Sequence, residues 1–230
     1  MSISVDIQND VALITLDDGK ANAVNFELME ALNEALDKAE ADAKAIVLAG
    51  REGRFSGGFD LGIMGSFTRD DSVRLLDRAS ELVLRLYGGP VPIVAACTGH
   101  AIAMGVFLLM ACDTRIGAAG DFKLGANESI TGMTLPVFAV ELARDRLSPL
   151  HQTRAMIQAF IYDPKGAVEA GYLDMLVEPD KVVGRAFAIA GQLAKLPGHA
   201  YAYQKSAMRK PALDAIRASI GNHPNLRKMA

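Results

Sequence analysis

The chain has 230 residues, half of them hydrophobic and 22% charged, so it can bury a sizeable core and is a poor candidate for disorder. Its net charge of −3 offers no basic surface, and we expect no nucleic-acid partner. Two cysteines, each inside an apolar run, are too few for a secreted disulfide framework. We therefore predict buried thiols in a cytoplasmic protein.

Membrane association is not expected from this sequence. The first ten residues carry acidic side chains and no long apolar stretch, unlike a signal peptide. The apolar run at residues 101–112 is well short of the roughly 18 residues that cross a bilayer. It predicts a buried helix instead.

The first half of the chain alternates strands and helices. Residues 3–8 and 11–16 have a period of two and predict a β-hairpin that turns at Asn9 and Asp10. Asn25 is a natural N-cap for the next helix. Apolar runs at residues 45–50 and 90–97 predict buried strands, separated by a helix over about residues 72–87. This order is typical of an α/β fold with parallel strands.

The second half is richer in helix. A loop and an apolar helix at residues 99–113 lead to predicted strands at 114–119 and 121–125 and a short strand at 175–179. Helices are predicted between them and again from about residue 180. In the turn after the apolar helix, we expect a local pairing of Asp113 with Arg115. We predict an α/β core over residues 1–178 and a C-terminal helical oligomerisation region over residues 179–230.

Two glycine-containing loops follow buried strands, where ligands of α/β folds gather. In the first, Gly57 and Gly58 allow a close backbone approach, and Asp60 can cap a short helix that begins at Leu61. The second, residues 99–105, leads into the apolar helix. Free N–H groups in both loops can bind a developing negative charge. We interpret His100 as a hydrogen-bonded structural residue.

The third loop, residues 125–136, contains Glu128 in an otherwise neutral segment. A carboxylate in apolar surroundings has a raised pKa, which suits proton transfer near neutral pH. An exposed loop glutamate is the alternative interpretation, and this segment alone does not decide between the two.

The segments GKANAVN, FSGGFDL, GHAIAMGVFLLMACDTRIGA and NESITGMTLP together resemble the crotonase superfamily, the enoyl-CoA hydratases and isomerases. The resemblance implies a crotonase-like ββα spiral with a C-terminal helical region, acting on acyl-CoA in fatty acid metabolism. It implies a homotrimer or a dimer of trimers. It also implies that coenzyme A enters as part of the substrate, with no resident cofactor and no metal.

By the same resemblance, two loops hold coenzyme A and two backbone amides form an oxyanion hole. The amides belong to Phe59 and Met104, and Met104 stands where the family has glycine, so its amide is available only if it avoids a positive φ. The implied coenzyme A contacts are Lys20, Ala21, Ala23, Ser56, Gly57, Gly58, Asp60 and Leu61.

Hydratases of this family carry two glutamates, and here Phe107 occupies the first position while Glu128 occupies the second. Moving a double bond needs only one carboxylate, which takes a proton from C2 and returns it at C4. The resemblance therefore favours a Δ3,Δ2-enoyl-CoA isomerase, with Glu128, Phe59 and Met104 as its catalytic groups.

Two other functions remain open on the sequence alone. A hydratase would need a second carboxylate from elsewhere, and the candidates after Leu61 are Asp70, Asp71 and Asp77, which a solvated surface explains better. A binding protein that kept the acyl-CoA pocket and lost efficient catalysis is the other, and Met104 favours it. The acyl pocket itself is expected to contain Ile63, Met64, Phe67 and Met104.

Overall fold

Two sheets organise the computed structural model, which describes residues 2–223. Six strands form the larger sheet in the order β1-β2-β3-β5-β7-β9, and three form the smaller one in the order β4-β6-β8. All neighbouring strands are parallel except β1 and β2. Their bounds are β1 Ser2–Gln8, β2 Val11–Asp17, β3 Ala45–Gly50, β4 Gly53–Ser56, β5 Ile93–Cys97, β6 Gly99–Ile102, β7 Thr114–Ala118, β8 Leu124–Gly125 and β9 Met175–Val177.

The predicted hairpin is confirmed. Asn9 and Asp10 have φ values of 49° and 64°, as a two-residue turn with both central residues left-handed requires. Asparagine and aspartate tolerate this region better than other non-glycine residues. Gln8 and Val11 pair directly across the turn.

Helices cover the sheets and make up most of the described chain after β9. The first begins after Asn25, whose Oδ1 accepts from the Leu28 N–H at 2.9 Å, so the predicted N-cap is confirmed. Their bounds are α1 Phe26–Asp42, α2 Leu61–Met64, α3 Arg69–Gly88, α4 Met104–Ala111, α5 Glu128–Thr131, α6 Val137–Arg146, α7 Pro149–Gln152, α8 Pro164–Ala170, α9 Val182–Leu193 and α10 Gly198–Ser219, with a π-helical turn at Thr153–Ile157 and a 3₁₀ turn at Pro179–Lys181.

The middle of the chain repeats one unit. In β3–β4, β5–β6 and β7–β8 the first strand of each pair joins the large sheet and the second joins the small sheet. Helices α2 and α3 follow the first pair, and α4 follows the second. The chain therefore winds as a ββα spiral, and the expected fold is confirmed.

The C-terminal helices pack on this core. Helix α9 buries Val182, Ala186 and Ala190 among side chains of the large sheet, including Val47 and Val94. Helix α10 packs against α3 and α6. The division at residue 178 and the oligomerisation role of residues 179–230 stay predictions. No described helix is both long and apolar enough to cross a bilayer.

A buried ionic cluster holds α10 in place. The Asp113 side chain is 6% exposed and accepts from Lys205 Nζ at 2.9 Å, Arg209 Nη1 at 2.7 Å and the Ile93 N–H at 2.8 Å. Burial lowers the pKa of Lys205, and the Asp113 carboxylate opposes that change. An expected pairing of Asp113 with Arg115 is wrong, because Arg115 lies against Asp174 instead, with Nε 3.0 Å from Oδ2.

We expect Asp113→Asn to destabilise the protein by about 3–5 kcal/mol, because it leaves buried cations without their counter-charge. Urea unfolding at neutral pH measures this free energy. Asp214→Asn is the matched control, since Asp214 pairs with Lys210 and Arg217 at the exposed surface of α10 and should matter little. Equal stability of the two variants would contradict the prediction.

Candidate active site

The three short strands of the small sheet end at one edge. Because β4, β6 and β8 are parallel, the segments that follow them meet beyond their carboxyl ends. The pairing of Ser56 with Ala101 and of Ile102 with Gly125 fixes their register. The Ala103 N–H continues it by donating to the Gly125 carbonyl at 2.9 Å. All three predicted site loops are thereby brought together.

A cavity of about 510 Å³ opens at this edge. Gly57 and Phe59 line it from the first loop, Ala103 and Phe107 from the second, and Glu128 from the third. Apolar side chains supply much of the remaining wall, namely Leu61, Met64, Leu75, Leu76, Met133 and Pro136. The site therefore suits an apolar group held beside one carboxylate.

Sequence reasoning finds only part of the apolar wall. Of the four expected pocket residues, Met64 lines the cavity, whereas Met104 is fully buried in the core, and Ile63 and Phe67 pack against that core. The sequence does not identify Leu75 as a residue that lines the cavity, because it has the spacing of an ordinary core position on an amphipathic helix. Its place on α3 relative to α5 depends on tertiary packing.

The first two loops touch through their backbones. Gly58 has φ of 91°, and a Cβ added there would lie 2.8 Å from the Ile102 carbonyl oxygen and 3.3 Å from the Met104 nitrogen. A Cβ on Gly105 would lie 2.4 Å from the Ser56 carbonyl oxygen. Both glycines are therefore required for this contact.

The contact places the Phe59 and Met104 amides close together. Neither N–H donates to a backbone acceptor among residues 2–223, and Met104 is the first residue of α4, where N–H groups have no intrahelical partner. The residue with a positive φ, 50°, is Ala103 and not Met104. Met104 therefore avoids the backbone conformation that would have made its N–H unavailable as a donor. Oxyanion binding by these two amides stays a prediction.

Glu128 begins α5 and is only 6% exposed. Burial raises its pKa to about 6, while hydrogen bonds from its own N–H and that of Asn127 act in the opposite direction. Its Oε2 is buried and, within the described part of the chain, has no hydrogen-bond partner. The alternative of an exposed loop glutamate is therefore wrong, and the side chain has the properties of a proton-transfer group.

The two loops predicted to hold coenzyme A lie side by side. The Gly57 N–H donates to the Ala21 carbonyl at 2.8 Å, and the Ala23 and Lys20 N–H groups bond to Asp18 carboxylate oxygens at 3.3 and 2.7 Å. Leu61 is 60% exposed at the rim of the cavity. These contacts hold the two loops against each other, and coenzyme A binding by them stays a prediction.

The remaining polar residues have structural partners. Asp60 caps α2 by accepting from the Gly62 N–H at 3.0 Å, as predicted. His100 accepts from the Lys123 N–H at 3.0 Å, which confirms its structural role. Burial raises the thiol pKa of Cys97 and Cys112 to about 12, so these buried thiols stay protonated.

No second carboxylate reaches the cavity among the residues that the structure describes. The Asp71 carboxylate accepts from the N–H of Thr68, the N-cap of α3. Asp77 accepts from Gly221 and His223, and Asp70 is exposed. At the position where hydratases have their other glutamate, Phe107 packs edge-to-face on Phe138, with ring centroids 5.8 Å apart. Among the described residues that line the cavity, Glu128 supplies the single carboxylate.

Comparison with known proteins gives a consistent family. Residues 6–226 match the family model for enoyl-CoA hydratase/isomerase. Mouse mitochondrial enoyl-CoA delta isomerase 1 is 27% identical over 210 residues, which are 90% of this chain and 73% of that protein. An enoyl-CoA hydratase/isomerase family protein from Pseudomonas syringae has a similar structure, with TM-score 0.92, 41% identity and 95% of each chain covered.

Names within this group do not agree on the reaction. A Mycobacterium tuberculosis protein is called a probable enoyl-CoA hydratase in one crystal structure, which is 41% identical with TM-score 0.91 and covers 95% of this chain and 93% of that one. Another structure of it is called an enoyl-CoA isomerase, with 40% identity, TM-score 0.90, and 95% and 96% covered. The names of relatives therefore do not distinguish isomerase from hydratase, and the residues of the cavity are needed to decide between them.

We expect Glu128→Gln to stabilise the protein by about 2 kcal/mol at pH 7 and above. The folded state binds the Glu128 proton more tightly than the unfolded chain does, because burial raises its pKa from 4.5 to about 6. Stability from this group is therefore present below pH 4.5 and is lost as pH rises to about 6. Glutamine carries no charge and avoids that loss.

Urea unfolding of both proteins from pH 4 to pH 8 measures the difference. The difference in unfolding free energy between the two proteins should grow between about pH 4.5 and 6 and then stay constant. Glu178→Gln, at an exposed position, is the control and should show no such gap. A pH-independent difference for Glu128→Gln would contradict the assigned burial of its charge.

Proposed function

Because the chain belongs to the enoyl-CoA hydratase/isomerase family, we propose that it moves the double bond of a 3-enoyl-CoA to position 2. The observation that carries this proposal is the single carboxylate, Glu128, among the described residues that line the cavity. Double-bond transfer needs one proton shuttle, whereas hydration needs groups both to activate water and to protonate carbon.

The proposed reaction uses Glu128 twice. Its carboxylate removes a proton from C2 and gives a dienolate, in which the negative charge lies on the thioester oxygen. The same group then returns the proton at C4, so the double bond ends between C2 and C3 and no co-reactant is consumed. A pKa of about 6 leaves the base ionised at pH 7 and its conjugate acid strong enough to return the proton.

Phe59 and Met104 are proposed to hold the dienolate oxygen through their N–H groups. Preorganised donors at the site of developing charge contribute strongly to such reactions. The adjacent backbones of the two loops support this assignment, as does the ordinary φ of Met104. Phe107 keeps the neighbouring wall apolar and offers no group that could activate the water a hydratase needs.

Coenzyme A is proposed to enter with the substrate along the groove between residues 20–23 and 56–61. The hydrogen bond from Gly57 to Ala21 holds these two segments together and supports the proposal. Gly57 is exposed and has no side chain of its own, so a ligand can approach its backbone closely. A resident cofactor has no part in the proposed reaction.

Hydratase activity is the second candidate, favoured by the names of some relatives. It needs a carboxylate beyond Glu128, and Asp71 and Asp77 are engaged in α3 capping and in contacts with Gly221 and His223. A catalytically weak acyl-CoA-binding protein is the third. Met104 avoids a positive φ, so its amide can still donate, and this supports the isomerase over the binding protein.

Assembly as a trimer or a dimer of trimers is part of the proposal. The C-terminal helical region exposes Leu196, Tyr203 and Met208, which are 47%, 75% and 82% exposed. Association would cover such apolar side chains. Light scattering should give three or six times the 24.5 kDa chain mass, and a 24.5 kDa particle would refute this part.

Incubation with a 3-enoyl-CoA should raise the absorbance of a conjugated thioester. Glu128→Gln should fold and bind the substrate but lose about 10²- to 10⁴-fold in kcat, which is the usual contribution of general acid–base catalysis. For the unchanged protein, kcat/KM should rise with pH through an apparent pKa near 6, since the base must be ionised.

Glu178→Gln serves as the control and should keep the full rate. If Glu128→Gln keeps most of the activity, another group is the shuttle and the isomerase assignment fails. Loss of absorbance from a 2-enoyl-CoA, without reaction of the 3-enoyl-CoA, would establish the hydratase instead. Binding of both esters without any turnover would support the third candidate, an acyl-CoA-binding protein with little catalysis.

A further inference from the structure

Ser56 is a fully buried hydroxyl residue at the end of β4, and its hydrogen bonds link the two substrate loops. Its Oγ donates to the Asn22 carbonyl at 2.8 Å and accepts from the Gly58 N–H at 3.2 Å. The hydroxyl is thus used within the protein and is fully buried, so the expectation that the Ser56 side chain contacts coenzyme A is wrong.

The bond to Gly58 matters because Phe59 is the next residue in the chain. Gly58 has φ of 91°, and its carbonyl accepts from the Val24 N–H at 2.7 Å. The peptide unit between Gly58 and Phe59 is planar and trans, so its N–H points away from its carbonyl. Holding the Gly58 carbonyl toward Val24 therefore aims the Phe59 N–H in the opposite direction.

Asn22 fixes the other side of this arrangement. It is fully buried with φ of 50°, and its Nδ2 donates to the carbonyls of Leu16 at 2.9 Å and Phe55 at 3.2 Å. Its Oδ1 accepts from the Asp18 N–H at 3.0 Å. The carbonyl to which Ser56 donates is therefore held rigidly, and this fixes the position of the hydroxyl.

Ser56 also touches the second amide segment. Its carbonyl oxygen lies where a Cβ on Gly105 would be only 2.4 Å away, so the start of α4 rests directly on Ser56. The Ser56 backbone thus supports the segment that begins with Met104. Its hydroxyl holds the Gly57–Gly58 peptide unit, which directly precedes the unit that carries the Phe59 N–H.

We propose that Ser56 is a positioning residue, whose hydroxyl aligns the Phe59 amide with the thioester oxygen of a bound acyl-CoA. The proposal rests on the proposed function only in that an acyl thioester binds at this site. It does not require that the thioester be isomerised. A purely structural serine would affect stability and leave the polarisation of the bound carbonyl unchanged.

Carbonyl polarisation is measured by vibrational difference spectroscopy on a bound 2-enoyl-CoA, labelled with carbon-13 at the thioester carbonyl. The unchanged protein should lower the carbonyl stretch relative to the free ester. Ser56→Ala should lose most of that shift while its affinity for coenzyme A stays within about threefold. Its kcat with a 3-enoyl-CoA should fall about 10- to 100-fold with little change in KM, as for a misaligned donor.

Ser80→Ala is the matched control. Ser80 is also fully buried and bonds a backbone carbonyl, that of Leu76 at 2.7 Å, and it does not line the cavity. It should keep the carbonyl shift and kcat. If Ser56→Ala does not fold, Ser56→Cys gives the same test, because a thiol is a weaker donor and acceptor and should give an intermediate shift.

A Ser56→Ala protein with the wild-type carbonyl shift and the kcat of Ser80→Ala would overturn the proposal. So would a Ser56→Cys protein with the full shift, or an unchanged protein that does not polarise the carbonyl at all. Failure of the isomerase assignment is distinguishable from these results. It would show as polarisation of the bound ester by the unchanged protein without turnover of the 3-enoyl-CoA.

Discussion

Parallel pairing of β4, β6 and β8 is the constraint on which the site depends. Neighbouring strands of a sheet lie about 4.8 Å apart, so groups placed directly after adjacent strands come within reach of one small molecule. The strands are only two to four residues long, and their register is fixed by a few pairs, such as Ile102 with Gly125. Glycines at positions 58 and 105 then let the loops touch without side chains between them.

The large sheet can be predicted from the sequence, whereas two of the three strands of the small sheet, β4 and β6, cannot. Continuous apolar runs mark β3 and β5, and alternation marks the first hairpin. By contrast, the sequence of residues 51–60 predicts a loop, although Gly53–Ser56 is a strand, and Gly99–Ile102 escapes prediction in the same way. Such short, glycine-containing strands are too brief to show a period of two. Their existence depends on pairing with distant residues.

The buried charges show the same limit. The neutral surroundings of Glu128 in the sequence identify it as a candidate. That its buried Oε2 has no hydrogen-bond partner among the described residues depends on tertiary packing, which the sequence does not show. The sequence suggests a partner for Asp113 two residues away, whereas its ion pair with Lys205 spans 92 positions. The two carboxylates also have opposite physical roles. Asp113 is paired with buried cations and holds the fold together. Glu128 is buried without a counter-charge, which costs stability and gives it the raised pKa that the proposed proton transfer uses.

The three-turn spiral also explains how one scaffold can diverge in chemistry. Each turn delivers one component to the site, so a mutation after one strand alters that component and leaves the others in register. Phe107 and Glu128 belong to different turns, on helices α4 and α5, so each can be substituted without displacing the other's backbone. The amides of Phe59 and Met104 are main-chain groups, which among natural residues only proline can remove. Replacing side chains around the proposed main-chain binding site would therefore change the reaction and leave that site in place.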